Sequence, residues 1–327
     1  MCIHNCEPEE LFITENNELH VVVGTGPLGI AVMEQLLLKN KKVRMVNRSG
    51  KINTATSVEV VRGDATNESE FRRACSGASV IYNCAKAPYT EWPDKFPPIM
   101  DGIIQVAQGE NAKIVYADNL YMYGRTHLKV SESLPNLATG RKGLTRAKMA
   151  ETLMDAHKKG KVRAVIGRAP DFYGPGVLDS TLGERVFGAV LEGKPSEVLG
   201  NIDVPHAYIY IKDFAKGLVE LGEDDEAYGQ IWHIPSAETT TTRDIITRIY
   251  RLKNQEPKFR VAPKLFVNLM SLFNADMREI KEMLYLHEEP FIVDTKKYER
   301  RFNKNVTSHE DAILETMEWF ENRTHTK

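Results

Sequence analysis

The hydrophobic pattern of the chain changes period at regular intervals, and the first change is the sharpest. Residues 19–23 read Leu-His-Val-Val-Val, a β-branched run suited to a strand buried on both faces. The next segment, 27–38, carries Ile30, Val32, Met33, Leu36 and Leu37 at helical spacing. The alternation recurs. Short apolar strands are expected at 42–46, 58–61, 79–82, 113–116 and 162–168, separated by helical patterns over 68–75, 100–108 and 142–157, with Gly160 as the stop of the last helix. Past residue 175 the pattern loosens into helices at 181–192, 213–221, 243–251, 263–273, 277–287 and 310–320, with one further strand at 231–234. Strands alternating with helices at this interval predict βαβ units, hence an α/β fold with a doubly wound, Rossmann-type, mostly parallel sheet. The organisation expected is a polar leader over 1–18, a nucleotide-binding domain over 19–175 to which 206–235 return, and a smaller, discontinuous C-terminal substrate lobe from 176–205 and 236–327.

The turn between the first strand and helix is where chemistry is expected. Gly24, Gly26 and Gly29, with Pro27 and Leu28 between the last two, follow the G-x-G-x-x-G spacing of a dinucleotide site. The first glycine allows the tight turn, the second lets backbone approach a pyrophosphate, and the third lets the helix pack on the strand. Free N–H groups at the helix start face the phosphates. An NAD site places an acidic residue about 20 residues further on, for the ribose 2′-hydroxyl. Here Asn47 stands in its place, Arg48 follows and Ser49 adds a hydroxyl, so NADP is expected over NAD. Ligands of such sheets lie beyond the carboxyl ends of the strands, which puts Asp64, Ala65, Asn83, Ala85 and Lys86 on the cofactor crevice.

Bulk properties narrow the partners. The 327 residues are 42% hydrophobic, enough for a large core, and 43 Lys plus Arg against 45 Asp plus Glu leave a net charge of −2. That balance points to a small-molecule substrate, with neither nucleic acid nor membrane as a partner. Four cysteines do not make a disulfide framework and no signal pattern opens the sequence, so the cytoplasm is the expected compartment. The apolar run 265–273 is broken by Asn268 and Ser271 and is far short of the ~20 residues of a membrane span, so it reads as a packed helix. Cys2, His4 and Cys6 lack a second pair of ligands nearby, and no metal is expected.

Several segments together resemble the extended short-chain dehydrogenase/reductases, the group that includes NAD(P)-dependent epimerases and dehydratases. Besides the glycine turn, Gly63-Asp64 is similar to the family's adenine-contacting segment, Asn83-Cys84-Ala85 to its loop beneath the cofactor, and Tyr121-Met122-Tyr123-Gly124 to its "VYG" element. Residues 168–176, Arg-Ala-Pro-Asp-Phe-Tyr-Gly-Pro-Gly, resemble the "RP-x-x-x-YGP" segment that passes near the nicotinamide, which makes Tyr173 a cofactor-contacting candidate. The resemblance also implies a homodimer paired through the helices at 100–108 and 142–157.

The catalytic part departs from that family's pattern. Active members carry Ser or Thr before "VYG" and then Tyr-x-x-x-Lys on a helix, the tyrosine as acid/base, the lysine as its pKa-lowering partner and ribose anchor, the serine as stabiliser of the reacting oxygen. In the alignment expected here, Lys148 takes the lysine position, Leu144 replaces the tyrosine and Asn119 the serine. Three readings stay open. Lys148 is itself the acid/base; or Tyr121, Tyr89 or Lys86 supplies the proton; or Lys148 only grips the ribose and no chemistry occurs. Two functions follow: an NADP-dependent oxidoreductase or epimerase/dehydratase-like enzyme on a small carbonyl or sugar-type substrate, or a non-catalytic NADP(H)-binding sensor.

Overall fold

The computed structural model describes residues 18–52 and 57–324. The leader expected over 1–18, with Cys2, His4 and Cys6, lies outside these but for Glu18. Strands β1 (Leu19–Val23), β2 (Lys42–Asn47), β3 (Glu59–Arg62), β4 (Ala78–Asn83), β5 (Lys113–Asp118) and β6 (Arg163–Arg168) join Ile231–His233 in one seven-stranded sheet. The order across it is β3-β2-β1-β4-β5-β6 and then Ile231–His233, and every pairing is parallel. Order reverses between β1 and β4, the switch point at which such sheets open a ligand crevice.

Both faces of the sheet are covered, which is why its strands read as continuous apolar runs. Val22 of β1 packs into a core with helix α1 (Pro27–Leu38) and helix Ile211–Glu223. Its neighbours Val21 and Val23 point the other way, toward helices α2 (Glu68–Ala74), α3 (Trp92–Glu110) and α4 (Arg141–Lys158). The period-2 geometry of a strand thus feeds two separate cores from consecutive valines.

Departures from the expected pattern have physical causes. Helix α3 starts at Trp92, eight residues before the expected 100, and runs through Pro97 and Pro98. Pro93 sits at its start, where a missing N–H costs nothing, and Trp92, Phe96, Met100, Ile103 and Ala107 bury a continuous stripe that holds the two inner prolines in place. The run expected to be a packed helix over 263–273 is helix Lys264–Met270, and it leaves Leu265 at 79% and Phe273 at 82% exposure. Only Val267 on it is buried. The expected helix over 181–192 is a π-turn, Glu184–Gly188, continued by Ala189–Leu191. Beyond the main sheet, short strand pairs tie distant segments together: Asp171–Tyr173 with Tyr208–Tyr210, Ser196–Leu199 with Phe259–Ala262, and Pro205–His206 with Thr240–Thr241. Among the described residues no helix is long and apolar enough to cross a membrane.

Candidate functional site

The glycine turn separates into two roles by what a Cβ would meet. At Gly24 (φ +102°) it would come 2.6 Å from the Cys84 carbonyl oxygen, and at Gly29 2.0 Å from the Gly24 carbonyl oxygen. Those two positions are closed by the protein's own backbone. At Gly26 a Cβ would meet nothing within 4 Å, so this is where an outside group can approach. Pro27 opens α1 and Leu28 follows it, while the first α-turn closes only with Ile30 N donating to the Gly26 oxygen at 3.0 Å. The amides before it are free for phosphate oxygens. At the end of β4, Asn83 is 3% exposed, its Oδ1 accepts from the Ala85 amide at 3.2 Å, and its Nδ2 has no partner. A buried amide donor left open beside an open glycine fits a dinucleotide better than a closed structural turn.

The loop after β2 is built around Asn47. Its Nδ2 donates to Thr25 Oγ1 at 2.8 Å and to the Lys51 oxygen at 2.7 Å, and its Oδ1 accepts from Ser49 and Gly50 amides at 3.0 and 2.6 Å. Asn47 therefore fastens this loop to the glycine turn, and Ser49, whose hydroxyl also bonds Asn47, is held with it. Arg48 is exposed at the rim. Against the upward push of burial, hydrogen bonds from Thr66 and the Arg48 charge keep Asp64 below the usual carboxylate range. Ala65 is buried where α3 crosses it at Gly102. Lys86 is exposed and pairs with Asp179 at 3.1 Å.

The helix expected to carry the catalytic lysine presents a different pair. Lys148 is exposed, and Leu144, placed at the tyrosine position, is 52% exposed. Lys142 and Arg146, four apart, are 0% and 9% exposed on the inner side of the helix. Two residues along a helix turn about 200°, so Lys148 projects from the side opposite Arg146. Shifting the alignment by two residues puts Lys142 at the family's tyrosine, Thr145 at its serine and Arg146 at its lysine. In sequence, a buried charged pair reads as a solvated face.

Arg146 is held by aromatic rings and oxygens. Its guanidinium lies 4.3 Å from the Phe96 ring and 4.5 Å from Trp92, Nη1 donates to the Tyr116 hydroxyl at 2.7 Å, and Asp118 stands at 3.6 Å. Asp118 also takes Arg168 Nε at 3.0 Å, and Arg168 reaches the Tyr123 hydroxyl at 2.7 Å. Lys142 Nζ lies 4.0 Å over the Tyr89 ring and ion-pairs with Glu279, from the C-terminal helix Ala275–Met283. Its backbone amide donates to Glu282 of the same helix at 2.7 Å. Burial draws the Lys142 ammonium down to about 8, against the opposing pull of Glu282.

The other candidates fall into place around this pair. Asn119 is half-buried at the end of β5 and its Oδ1 is taken by the Tyr121 amide at 3.1 Å. Tyr121 stacks on Trp92 at 5.9 Å, and burial together with the Asp171 charge pushes its phenol well above the usual range. Tyr89, hydrogen-bonded to Tyr121, is pushed up for the same two reasons. Neither phenol is poised to ionise. Tyr173 is not a cofactor contact: it is 0% exposed, its hydroxyl sits 3.0 Å from His309 Nδ1, and Phe187 and Tyr210 pack on its ring. Arg125 and Arg141 are paired with Glu289 and Glu279.

The family model described as NAD dependent epimerase/dehydratase family matches residues 21–234. The chain belongs to that family. No curated protein sequence matches. Among solved structures it is similar to a dTDP-glucose 4,6-dehydratase from Bacillus anthracis in complex with NAD, at 14% identity and TM-score 0.78, covering 94% of this chain and 98% of that one. It is also similar to a UDP-glucuronic acid 4-epimerase from Bacillus cereus in complex with UDP-glucuronic acid and NAD, at 18% identity and TM-score 0.76, covering 93% and 99%. These likenesses cover both the sheet and the C-terminal segments, so the family fold extends past residue 234. Sequence reasoning did not single out Lys142 or Asp118, nor pair Lys142 with Arg146. The signal that could have found that pair is Thr145, which fits the family's serine only if Lys142 and Arg146 flank it.

Proposed function

We propose that the chain is an NADP-dependent oxidoreductase or epimerase/dehydratase-like enzyme on a small carbonyl or sugar-type substrate, with the Lys142 amine in the place of the family's catalytic phenol. The observation that carries this reading is the buried Lys142–Arg146 pair on the inner side of α4. Arg48, exposed next to Asn47, which stands where NAD enzymes keep a carboxylate, supports NADP, and the sugar nucleotides in the names of similar structures support a sugar-type substrate. When bound, the nicotinamide supplies hydride chemistry. Gly26, Asn83 and the start of α1 would hold its dinucleotide, and Lys142 Nζ would give a proton to the substrate oxygen on reduction or take one on oxidation. Arg146 cannot exchange protons at neutral pH and instead supplies fixed positive charge beneath the site. Pairing into a homodimer through α3 and α4 belongs to the same reading.

The non-catalytic sensor remains a second reading because of one observation, the ion pair that ties Lys142 to Glu279 and must open before a proton moves. Lys142→Met separates the two. If the amine is the acid/base, turnover of a substrate found by screening carbonyl compounds and nucleotide sugars falls by about 100-fold or more while NADPH affinity stays within about tenfold. Lys148→Met, on the outer face, leaves both unchanged. Full turnover in Lys142→Met overturns the assignment, and a blank screen with intact NADPH binding favours the sensor.

A further inference from the structure

Asp171, His206 and His287 lie far apart in sequence and converge on one another beside the crevice. Asp171 Oδ2 is 3.2 Å from His206 Nε2 and 3.9 Å from His287 Nε2, and one ligand atom from each residue lies within 4.8 Å of the others. We propose that these three side chains bind a divalent transition-metal ion of the zinc class, leaving one coordination position open toward the substrate crevice.

Ligand atoms roughly 2.1 Å from a tetrahedral ion stand about 3.4 Å apart, between the two separations seen. The donor set, two imidazoles and a carboxylate, suits zinc or iron rather than calcium or magnesium. Backbone pairing fixes the ligands in advance. Asp171 begins the strand paired with Tyr208–Tyr210, His206 ends the strand paired with Thr240–Thr241, and the His287 carbonyl accepts from the Asn201 amide at 2.8 Å. Phe291, just past His287, exchanges hydrogen bonds with Pro205 and Ala207 on either side of His206.

A separate observation concerns His206 itself. It is 1% exposed, wrapped by the rings of Tyr208, Phe291 and His287, and its Nδ1 has no partner. The ligand atom in this arrangement is Nε2, 3.2 Å from Asp171, where a metal–nitrogen bond adds to the single hydrogen bond that offsets burial of the ring. Asp171 and His287 are less enclosed, with side chains 20% and 17% exposed. Phe291, which packs on His206, shares an apolar cluster with Tyr121 and Tyr89, and the Tyr89 ring carries Lys142, so the site lies on the Lys142 side of the fold. Three protein ligands and a free position are the pattern of catalytic rather than structural zinc.

The site does not depend on the Lys142 chemistry, and its test needs no turnover. The chain is stripped with a chelator and titrated with Co²⁺. We expect one equivalent to bind with the ligand-field absorption of a four- or five-coordinate ion, displaced by Zn²⁺. His287→Gln and Asp171→Asn each weaken binding at least about 100-fold, beyond what loss of an outer partner costs, with unchanged far-ultraviolet circular dichroism. Cys2→Ser/Cys6→Ser leaves it intact. Zn²⁺ raises the Tm of the unmodified chain and not that of His287→Gln, a readout that serves even if the Asp171 variant fails to fold. Absence of stoichiometric Co²⁺, or Co²⁺ binding that survives both substitutions or is lost with the two cysteines, overturns the proposal.

Discussion

At the scale of the residue, the site turns on where positive charges are spent. Arg48 is exposed at the rim, and its charge helps hold Asp64 below the usual carboxylate range. A charge-assisted contact to a 2′-phosphate is expected to favour NADPH over NADH by one to two factors of ten, each about 1.4 kcal/mol. Arg48→Asp should erase or reverse the preference, and calorimetric titration with both nucleotides checks it; equal affinities in the unmodified chain would contradict the assignment. Lys142 is the opposite case, an ammonium drawn down to about 8 by burial. As a proton donor in carbonyl reduction it works in its charged form, so the rate should fall as pH rises through about 8. In the oxidative direction the neutral amine is the base, and the rate should rise through the same range.

At the scale of the element, the glycine turn makes two kinds of prediction from one motif. Gly29→Val places atoms where the Gly24 carbonyl oxygen already stands, so α1 cannot keep its seat on β1 and the variant should lose stability or fail to fold. Gly26→Val adds a side chain into open space, at a position whose φ of −73° any residue adopts. It should fold with a Tm near the unmodified value yet lose nucleotide binding. Thermal melts beside nucleotide titrations check both; a Gly26→Val chain that still binds NADPH would put the dinucleotide elsewhere. The turn's geometry was legible because the motif is local, three glycines within six residues joining a strand to a helix. Helix α3 was only half legible, since its prolines argued for a loop and the buried stripe that overrules them became visible in the packing.

At the scale of the whole molecule, the two-faced sheet buries histidines as well as valines. His20 in β1 is 2% exposed with neither ring nitrogen partnered, and burial, helped by Lys41, pushes it down to about 4. His233 in the edge strand is pushed to about 3 by burial and the Arg168 charge. Both rings are neutral in the folded chain at pH 5, whereas the unfolded chain protonates them below about 6.5. The unfolded state therefore binds more protons across that window, and stability must fall as pH drops from about 6.5 toward 4. His20 alone accounts for something on the order of 3 kcal/mol of this loss. Chemical denaturation at pH 7 and pH 5 should show the fall, and His20→Phe should flatten part of it; identical pH slopes in the two chains would count against the assignment.

Sequence by itself determined the alternation of strands and helices, the parallel sheet that alternation requires, and the glycine turn. Each is written in local periodicity or in the spacing of a few neighbouring residues. Tertiary structure decided which charges of α4 face inward, because a lysine and an arginine buried on aromatic rings have the same sequence signature as a solvated face. It moved Tyr173 from the crevice to the core by packing His309 and Phe187 against it, the first more than a hundred residues away and the second on a π-turn that no periodicity announces. It also brought Asp171, His206 and His287 together through strands of two or three residues, too short to carry a pattern, whose pairing is set by the sheet and the C-terminal segments around them.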